Sequence, residues 1–353
     1  MKMGELLRSM ADKDASDLHI RVPGPPVMRI DGRLMPQEDL PLVDPADVQE
    51  AFEQITTESQ RAVFRQELEL DFAYSIPDLA RFRVNVMQQR GTMSIAFRRV
   101  PIEIPTIDKL GLPQLCKKLV LKPRGLILVT GPTGSGKSTT LAAMINYLNN
   151  HERKNVITIE DPIEYLYKNQ KCIMAQRDLG DDTKSFASAL MHALRHDPDV
   201  ILVGEMRDLD TIKTAITAAE TGHLVLGTLH TIDTVQTVDR IIDAFPPEHQ
   251  RQIRLQLAQV LEAVLSQTLL PRATGKGRVA AFEILIATPP VRNLIRTSKS
   301  FELPSIMQLS AQDGMQTLNQ TLASLVQTHA VTIEEALLKS SNPEQLKKLL
   351  RGY

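Results

Sequence analysis

The sequence predicts an α/β protein with a small mixed α/β domain, a second domain built on a parallel sheet, and a helical C-terminal region. A glycine-rich motif lies between an apolar run and a helical pattern, the usual context of a phosphate-binding loop. Strand and helix patterns then alternate to about residue 290, as in parallel sheets covered on both faces. Prolines at 101–106 exclude a helix there, so we predict a linker between domains at 1–100 and 107–290, with a helical region at 291–353.

Composition narrows the functional class. The chain has 353 residues and a net charge of −1 from 41 basic and 42 acidic residues, which does not favour nucleic-acid binding. No apolar run approaches the roughly 18 residues that span a membrane, and the N-terminus lacks the apolar core of a secretion signal. Cys116 and Cys172 are far apart, which disfavours a disulfide framework or a four-cysteine zinc site. We therefore expect a cytoplasmic protein with no transmembrane segment and no nucleic-acid partner.

The first domain is predicted to mix short helices with strands joined by hairpins. Asp31-Gly32 and Gln89-Arg90-Gly91 are typical of hairpin turns. Asp44-Pro45 and Thr57 are typical of helix N-termini. The predicted elements are helices at 4–10, from 45 and from 58, and strands at 17–21, 26–30, 70–74, 82–87 and 92–97.

Basic side chains line one face of this predicted sheet. Alternation places Arg81, Arg83 and Asn85 on one face, whereas the apolar residues between them point to the other. Arg98 closes the next strand. A solvated sheet face would explain these residues, and so would a surface that meets a phosphate across a domain or subunit boundary. The residues alone leave both interpretations open.

The glycine-rich motif has the pattern G-x-x-x-x-G-K-S. It comprises Gly131, Pro132, Thr133, Gly134, Ser135, Gly136, Lys137 and Ser138, and Thr139 follows in the predicted helix. Glycines let consecutive backbone N–H groups surround phosphate oxygens, and the helix N-terminus adds partial positive charge. We predict that Lys137 contacts the β- and γ-phosphates of ATP and that the Ser138 hydroxyl binds Mg²⁺. A glycine-rich turn with a surface lysine is the alternative.

Ligands of parallel sheets bind beyond the carboxyl ends of the strands, so the polar residues there are further candidates. The predicted strands are 126–129, 156–159, 200–203, 225–229 and 279–285, and the predicted helices include 138–149, 185–195, 209–220 and 247–265.

Acidic residues follow two of these strands. Glu160, Asp161 and Glu164 follow the second strand, and burying three carboxylates beside a phosphate loop is costly unless they bind a metal or a water. Gly204-Glu205 follows the third strand, which is the pattern of a Walker B strand with glycine in place of the usual aspartate. Glu205 would then take the metal or water role. Helix capping is the alternative for each acid alone.

Histidines flank the fourth predicted strand, with His223 before it and His230 after it. Alternation places Thr228 and His230 on one face, which suggests a γ-phosphate sensor. A satisfied core histidine is the alternative. Polar residues at several strand ends beside one phosphate loop together favour a functional site.

The last region is predicted to be helical. Leu318, Leu322, Leu325 and Val326 form a helical stripe that is typical of a core, and Thr332 begins a capping-box pattern.

These motifs, in this order, resemble those of the secretion-superfamily ATPases of type II secretion and type IV pili. Residues 131–138 resemble their Walker A motif, 157–164 their Asp box, 203–208 their atypical Walker B motif and 221–231 their His box. Residues 16–19 and 291–296 resemble motifs of the pilus-retraction branch. The motif that residues 291–296 resemble usually has the sequence A-I-R-N-L-I-R-E. This chain instead has Pro290-Val291 at the start of the motif and Thr297 at its end.

The resemblance implies a homo-hexameric ring whose subunits have a PAS-like N-terminal domain and a RecA-like P-loop domain. It implies that ATP and Mg²⁺ bind between the two domains and against a neighbouring subunit. The implied roles are general base for Glu164, Mg²⁺-linked acid for Glu205, sensor for His230 with His223, and phosphate contact for Arg81, Arg83 or Arg98.

We therefore hypothesise that ATP hydrolysis drives domain rotation about the 101–106 linker and does work on an inner-membrane platform protein, retracting a type IV pilus in twitching motility. Alternatives stay open: a pilus-assembly or type II secretion ATPase, a RecA-like nucleic-acid motor, and a nucleotide-switched ring scaffold that does not hydrolyse ATP. The charge balance disfavours the nucleic-acid motor, and the pair Glu164 and Glu205 disfavours the scaffold.

Overall fold

The structure, a computed structural model, describes residues 2–30, 32–77, 79–100 and 103–351 and divides into two compact units. The first unit is Met1–Glu103 with Glu164–Leu166, and the second is Ile104–Ile163 with Tyr167–Tyr353. The division lies within the stretch 101–106, of which Pro101 and Ile102 are outside the described residues. Apart from Glu164–Leu166, residues 107–290 and 291–353, which were predicted as separate regions, fall in the second unit.

The first unit is an antiparallel sheet with helices. The six strands run in the order β3-β2-β1-β6-β5-β4, and each neighbouring pair is antiparallel. The elements are α1 (Met3–Asp12), β1 (Asp17–Arg21), β2 (Val27–Ile30), β3 (Arg33–Pro36), α2 (Pro45–Ile55), α3 (Glu58–Glu67), β4 (Glu69–Ile76), β5 (Ala80–Gln89) and β6 (Thr92–Arg99). The elements predicted for this domain are present, and the four-residue β3 was not predicted.

Local sequence signals account for the ends of these elements. Asp44 and Thr57 each form a capping box at the start of α2 and α3. The turn predicted at Gln89-Arg90-Gly91 is present; Gln89 ends β5, and Arg90 and Gly91, with φ values of 45° and 76°, form a two-residue turn before β6. The other predicted turn includes Asp31, which lies outside the described residues.

A buried carboxylate joins three strands of this sheet. Asp17 is 7% exposed; it accepts from Arg98 Nε at 2.8 Å and from Ser16 Oγ at 2.8 Å, and Arg29 Nε lies 3.6 Å away. Burial alone would raise the pKa of Asp17, but the hydrogen bonds from Arg98 and Ser16 and the charge of Arg98 hold that pKa below its ordinary value. Arg98, a predicted phosphate contact, thus has a structural partner on the neighbouring strand.

Replacing Asp17 by asparagine is expected to lower the free energy of unfolding at pH 7 by about 1–2 kcal/mol, because a charged hydrogen bond is lost to a largely exposed arginine. The folded-state pKa of Asp17 is lowered, so its stabilisation is present above the unfolded value of 3.8 and is lost as the pH falls through the folded value. Urea unfolding across this range checks the effect. Asp39→Asn, at an exposed position, is the control. If Asp17→Asn is still less stable than the parent at the lowest pH, the assignment is contradicted.

The second unit is built on a mostly parallel sheet. Its order is β13-β12-β7-β11-β10-β8-β9, and the pairs are parallel except for β12 with β13. The strands are β7 (Gly125–Thr130), β8 (Asn155–Glu160), β9 (Ile173–Asp178), β10 (Val200–Val203), β11 (Leu224–Leu229), β12 (Leu261–Pro271) and β13 (Arg278–Ile286). The helices are α4 (Leu115–Val120), α5 (Lys137–His151), α6 (Phe186–Ala193), α7 (Leu209–Glu220), α8 (Thr234–Asp243), α9 (Pro247–Val260), α10 (Pro289–Arg296), α11 (Leu303–Leu309), α12 (Leu318–Gln327), α13 (Ile333–Lys339) and α14 (Pro343–Arg351), with 3₁₀ turns at Ser300–Glu302 and Ala311–Asp313.

The predicted helix 247–265 is wrong after residue 260. Helix α9 ends at Val260, and β12 begins at the next residue without a glycine or proline between them. Ile253, Leu257 and Leu261 keep helical spacing across this boundary, so the hydrophobic pattern did not reveal it.

The predicted strand 279–285 is present as β13, but it runs antiparallel to β12 as the second arm of a hairpin. The elements β9, α8 and β12 were not predicted.

The C-terminal helices complete the second unit. Leu322 of α12 is fully buried in a cluster with Leu270 of β12 and Ala281 of β13, and Leu318, Leu325 and Val326 pack against it, so the predicted stripe is core. Thr332 caps α13 by accepting from the Glu335 N–H at 3.4 Å.

The predicted fold class is confirmed: an N-terminal α+β domain precedes a RecA-like α/β domain with a helical C-terminal extension. In the described part of the chain, no helix is both long enough and apolar enough to span a bilayer.

Candidate nucleotide site at the phosphate loop

The carboxyl ends of neighbouring strands bring several predicted site residues together. In the sheet register, Thr130 of β7 lies opposite Leu229 of β11, and Val203 of β10 lies opposite Gly227 of β11. The carboxyl ends of β7, β10 and β11 therefore lie side by side. The residues that follow them, which are the phosphate loop, Glu205 and His230, lie at the same edge of the sheet.

The loop backbone has the conformation that its glycines permit. Gly131, Gly134 and Gly136 have φ values of 140°, 77° and 88°, which L-residues rarely adopt. A Cβ on Gly134 would meet no atom within 4 Å, so its backbone conformation alone calls for glycine. A Cβ on Gly131 would overlap the Gln267 carbonyl oxygen, so this position also requires close packing against β12.

The start of α5 is suited to bind an anion. Gly136 is its N-cap and provides no side-chain cap, so this end lacks the oxygen acceptor that Asp208 supplies to α7. Lys137 is buried, and its Nζ donates to the carbonyl oxygens of Gly131 at 2.8 Å and Pro132 at 3.2 Å. A phosphate would offer this ammonium a charged acceptor, which forms a stronger bond than a neutral carbonyl. The glycine cradle, helix end and lysine fit the phosphates of a nucleotide.

His230 connects the loop to Glu205. Its Nε2 lies 3.0 Å from Glu205 Oε1, and its Nδ1 lies 3.5 Å from the Thr133 hydroxyl oxygen. Arg207 Nε also contacts Glu205 Oε1, at 2.5 Å. Arg207 and Thr133 lie within predicted motifs, but no individual role could be predicted for either from the sequence. Their chemistry becomes visible only when the strand ends are adjacent.

The same partners determine the charge of the Glu205 carboxyl. Burial alone would raise its pKa, but the hydrogen bond from Arg207 and the charge of His230 hold it below the ordinary value for glutamate. Glu205 is therefore an anion at neutral pH. The carboxylate in turn raises the pKa of Arg207 through their hydrogen bond.

Glycine at position 204 has a steric cause. A Cβ there would lie 3.0 Å from the Ile159 carbonyl oxygen and 3.1 Å from Glu160 Cα, because β10 runs close to the end of β8. The backbone leaves little room for a larger side chain, so the acid stands one residue later. Thr228 is buried, and its hydroxyl donates to the Gly204 carbonyl oxygen at 2.5 Å, which ties β11 to the same turn.

The three carboxylates after β8 differ in burial. Glu160 is buried and accepts from the Thr158 hydroxyl at 2.6 Å and from Gln176 Nε2 at 3.3 Å, whereas Asp161 and Glu164 are exposed. The described residues include no group of at least three His, Cys, Asp or Glu side chains that could hold a metal ion. Because two of the three acids are exposed, burial does not require these carboxylates to bind a metal or a water. Mg²⁺ usually takes only one or two protein ligands besides phosphates and waters, and Ser138 and Glu205 are of the oxygen type that it prefers.

His223 does not join this site within the second unit. It precedes β11, whereas His230 follows it, so the strand separates them. Its Nδ1 lies 2.9 Å from the Ala218 carbonyl oxygen and 3.2 Å from the Thr221 hydroxyl. Its backbone carbonyl accepts from Gly125, at the start of β7 and away from the phosphate loop. The two histidines therefore lie at opposite ends of β11, His223 at its amino end and His230 at its carboxyl end.

The remaining predicted site residues belong to the first unit. Glu164 is exposed. Arg81, Arg83 and Asn85 share one face of β5 while the alternate residues are buried, as predicted, and Arg83 is exposed. Arg83 and Arg98 face each other across β5 and β6.

The late motif 291–296 lies on α10 and has a structural anchor. Arg292 Nη1 donates to the carbonyl oxygens of Ala258 at 2.7 Å and Gln259 at 2.8 Å, at the end of α9. Its Nη2 donates to Glu262 Oε1 at 2.9 Å, and Lys122 Nζ lies 2.7 Å from the other oxygen of that carboxylate. Arg292 therefore caps α9 and fixes α10 beside the start of β12.

Comparisons with known proteins indicate the family of this chain. Residues 5–338 match the family model described as type II/IV secretion system protein. The type IV pilus retraction ATPase PilT of Pseudomonas aeruginosa is 47% identical over 344 residues, covering 98% of this chain and 99% of that protein. A twitching motility protein of Neisseria gonorrhoeae is 47% identical over 321 residues, covering 91% of this chain and 86% of that protein.

A solved structure has the same fold. The crystal structure of the pilus retraction motor PilT with bound ADP matches this chain with a TM-score of 0.92 and 46% identity, covering 99% of each chain. Together with the family match over residues 5–338, this similarity shows that the chain belongs to the type II/IV secretion system protein family.

Proposed function

We propose that this chain is an ATPase motor that hydrolyses ATP to retract type IV pili in twitching motility. The observation that carries the proposal is the contact of His230 with both Thr133 of the phosphate loop and Glu205 after β10. Such a bridge lets the occupancy of the loop alter the surroundings of the Walker B acid. The relatives named as retraction and twitching proteins support the pilus role.

Each residue of the site has a chemical task in this proposal. Lys137 and the N-terminus of α5 bind the β- and γ-phosphates and stabilise the charge that spreads over them during transfer. Glu164 accepts a proton from the water that attacks the γ-phosphorus, and the bond from that phosphorus to the bridging oxygen of ADP breaks. The products are ADP, inorganic phosphate and the proton.

Ser138 and Glu205 would hold Mg²⁺, Ser138 through its hydroxyl and Glu205 through water. When bound, the ion would neutralise charge on the phosphate oxygens. His230 serves as the sensor, because loss of the γ-phosphate would alter its balance of contacts with Thr133 and Glu205. His223 has no part in that sensor within the same subunit, because it lies at the other edge of the sheet.

The assembly in this proposal is a homo-hexameric ring at the cytoplasmic face of the inner membrane. An exposed arginine such as Arg83 is the candidate for contacting phosphate from the first unit. Arg98 is a weaker candidate, because its guanidinium already binds Asp17. Nucleotide-driven rotation of the units about 101–106 would do work on a pilus platform protein.

To test the proposal, this chain is expressed in a bacterium that lacks its own retraction ATPase, and twitching is measured. Restored twitching and normal pilus number support the proposal, with hydrolysis and ring mass measured on the purified protein. Rescue only of a strain that lacks the assembly ATPase would indicate the assembly function. A ring that binds ATP but does not hydrolyse it, even with the platform protein, would indicate a scaffold. Hydrolysis that requires DNA would indicate a nucleic-acid motor.

A further inference from the structure

A buried carboxamide holds the phosphate loop against β12. Gln267 is 4% exposed, and its Nε2 donates to the Ser135 carbonyl oxygen at 2.6 Å while its Oε1 accepts from the Thr140 hydroxyl at 2.7 Å. A carbonyl oxygen can only accept, so the bond to Ser135 determines which end of the carboxamide is the nitrogen. Both ends of this side chain are thus bonded to the segment 135–140.

These two bonds bracket the residues that bind phosphate. Ser135 precedes Gly136, the N-cap of α5, and Thr140 lies in the first turn of that helix. Lys137 and Ser138 lie between them. The N–H groups of this segment are the donors that a phosphate would meet, so the two bonds help to determine where the donors point.

The backbone of Gln267 also packs against the loop. Strands β12 and β7 pair in parallel up to Ser266 opposite Thr130, which brings the next residue level with the start of the loop. A Cβ on Gly131 would overlap its carbonyl oxygen, and a Cβ on Gly136 would lie 2.9 Å from its Nε2. Gly131 and Gly136 are therefore needed where Gln267 approaches the loop.

We propose that Gln267 is a positioning residue for nucleotide binding, acting through the loop and not on the phosphate itself. Misplacing reactive or binding groups by about 1 Å can cost on the order of a hundredfold in rate, so a support that holds them is expected to affect affinity and turnover. The inference rests on nucleotide binding at the loop, and it does not depend on hydrolysis, ring formation or pilus retraction.

The test measures ADP affinity by calorimetry, because binding can be followed even if a variant does not turn over ATP. Gln267→Leu has a similar volume and removes both bonds, and we expect its Kd for ADP to rise about tenfold or more. Gln267→Glu keeps an acceptor for Thr140 but cannot donate to Ser135 when ionised, so it is expected to weaken binding as well. The KM for ATP should rise in parallel.

Thr140 provides the matched comparison. Thr140→Val removes the hydroxyl and should weaken ADP binding, whereas Thr140→Ser keeps it and should restore near-normal affinity. The effects of Gln267→Leu and Thr140→Val should be less than additive, because each breaks the same bond. Thr268→Val, at the next residue of β12, is the control that should leave affinity unchanged.

Thermal unfolding without nucleotide separates positioning from general stability. A folded Gln267→Leu protein with a lowered melting temperature, but with ADP Kd and ATP KM within about twofold of the parent, would overturn the proposal. If Gln267→Leu does not fold, the same measurements are made on Gln267→Glu and Thr140→Val. Unchanged ADP affinity in both variants would then overturn the proposal.

Discussion

Replacing Lys137 by alanine is expected to reduce ATP hydrolysis by on the order of a hundredfold or more, the usual loss when a preorganised charge-stabilising donor is removed. Lys137 is the buried cation of the phosphate loop, where its ammonium contacts the Gly131 and Pro132 carbonyl oxygens. Phosphate release by the purified protein at saturating ATP measures the loss. Nucleotide affinity should fall as well, because the ground state also carries phosphate charge.

The control for this variant is Lys276→Ala, which removes the same charge from an exposed loop of the same unit. The melting temperature of Lys137→Ala should be checked, since the substitution removes the ammonium that donates to the Gly131 and Pro132 carbonyl oxygens. Hydrolysis that stays within about twofold of the parent would mean that this lysine does not bind the transferred phosphate.

Replacing Glu164 by glutamine is expected to lower kcat by about a hundredfold to ten-thousandfold while leaving ADP affinity unchanged, because an amide cannot take the proton of the attacking water. Glu164 is exposed and belongs to the first unit. Its general-base role is a proposal from family resemblance. Single-turnover hydrolysis together with ADP titration separates the chemical step from binding.

The matched comparison is Asp161→Asn, another exposed acid in the same segment. If Glu164→Gln hydrolyses ATP normally, the base must be sought elsewhere, and Glu205→Gln is the next variant to measure. If both Glu164→Gln and Asp161→Asn lose activity equally, the segment contributes through its overall charge or conformation and not through one proton acceptor.

Much of the site could be predicted because its signals are local. The glycines and Lys137 lie within eight consecutive residues, and their conformation follows from their own φ angles and the helix that begins there. Alternation along β5 likewise predicted which side chains are buried, because a strand has a two-residue period.

Local pattern failed where a helix passes directly into a strand. The apolar residues of α9 and β12 continue one spacing across Val260 and Leu261, so periodicity could not place the boundary. Strand β12 was therefore not predicted, and neither was its pairing with β7, on which the role of Gln267 depends. The sequence offered no signal for it, since its partners are more than a hundred residues away in the chain.

Local patterns were enough to predict the class of the fold, the phosphate loop, the capped helices and the alternating faces of the strands, because the signals for each lie within a few residues of one another. Long-range strand pairing sets which strand ends lie together. It brings His230 beside Thr133 and Glu205, leaves His223 at the other end of β11, and brings Gln267 against the phosphate loop. Burial also differs among the acids after β8, because Glu160 is buried whereas Asp161 and Glu164 are exposed. The physical reason is that parallel pairing brings together residues far apart in the chain, and strand order sets these contacts at a range that local propensity does not reach.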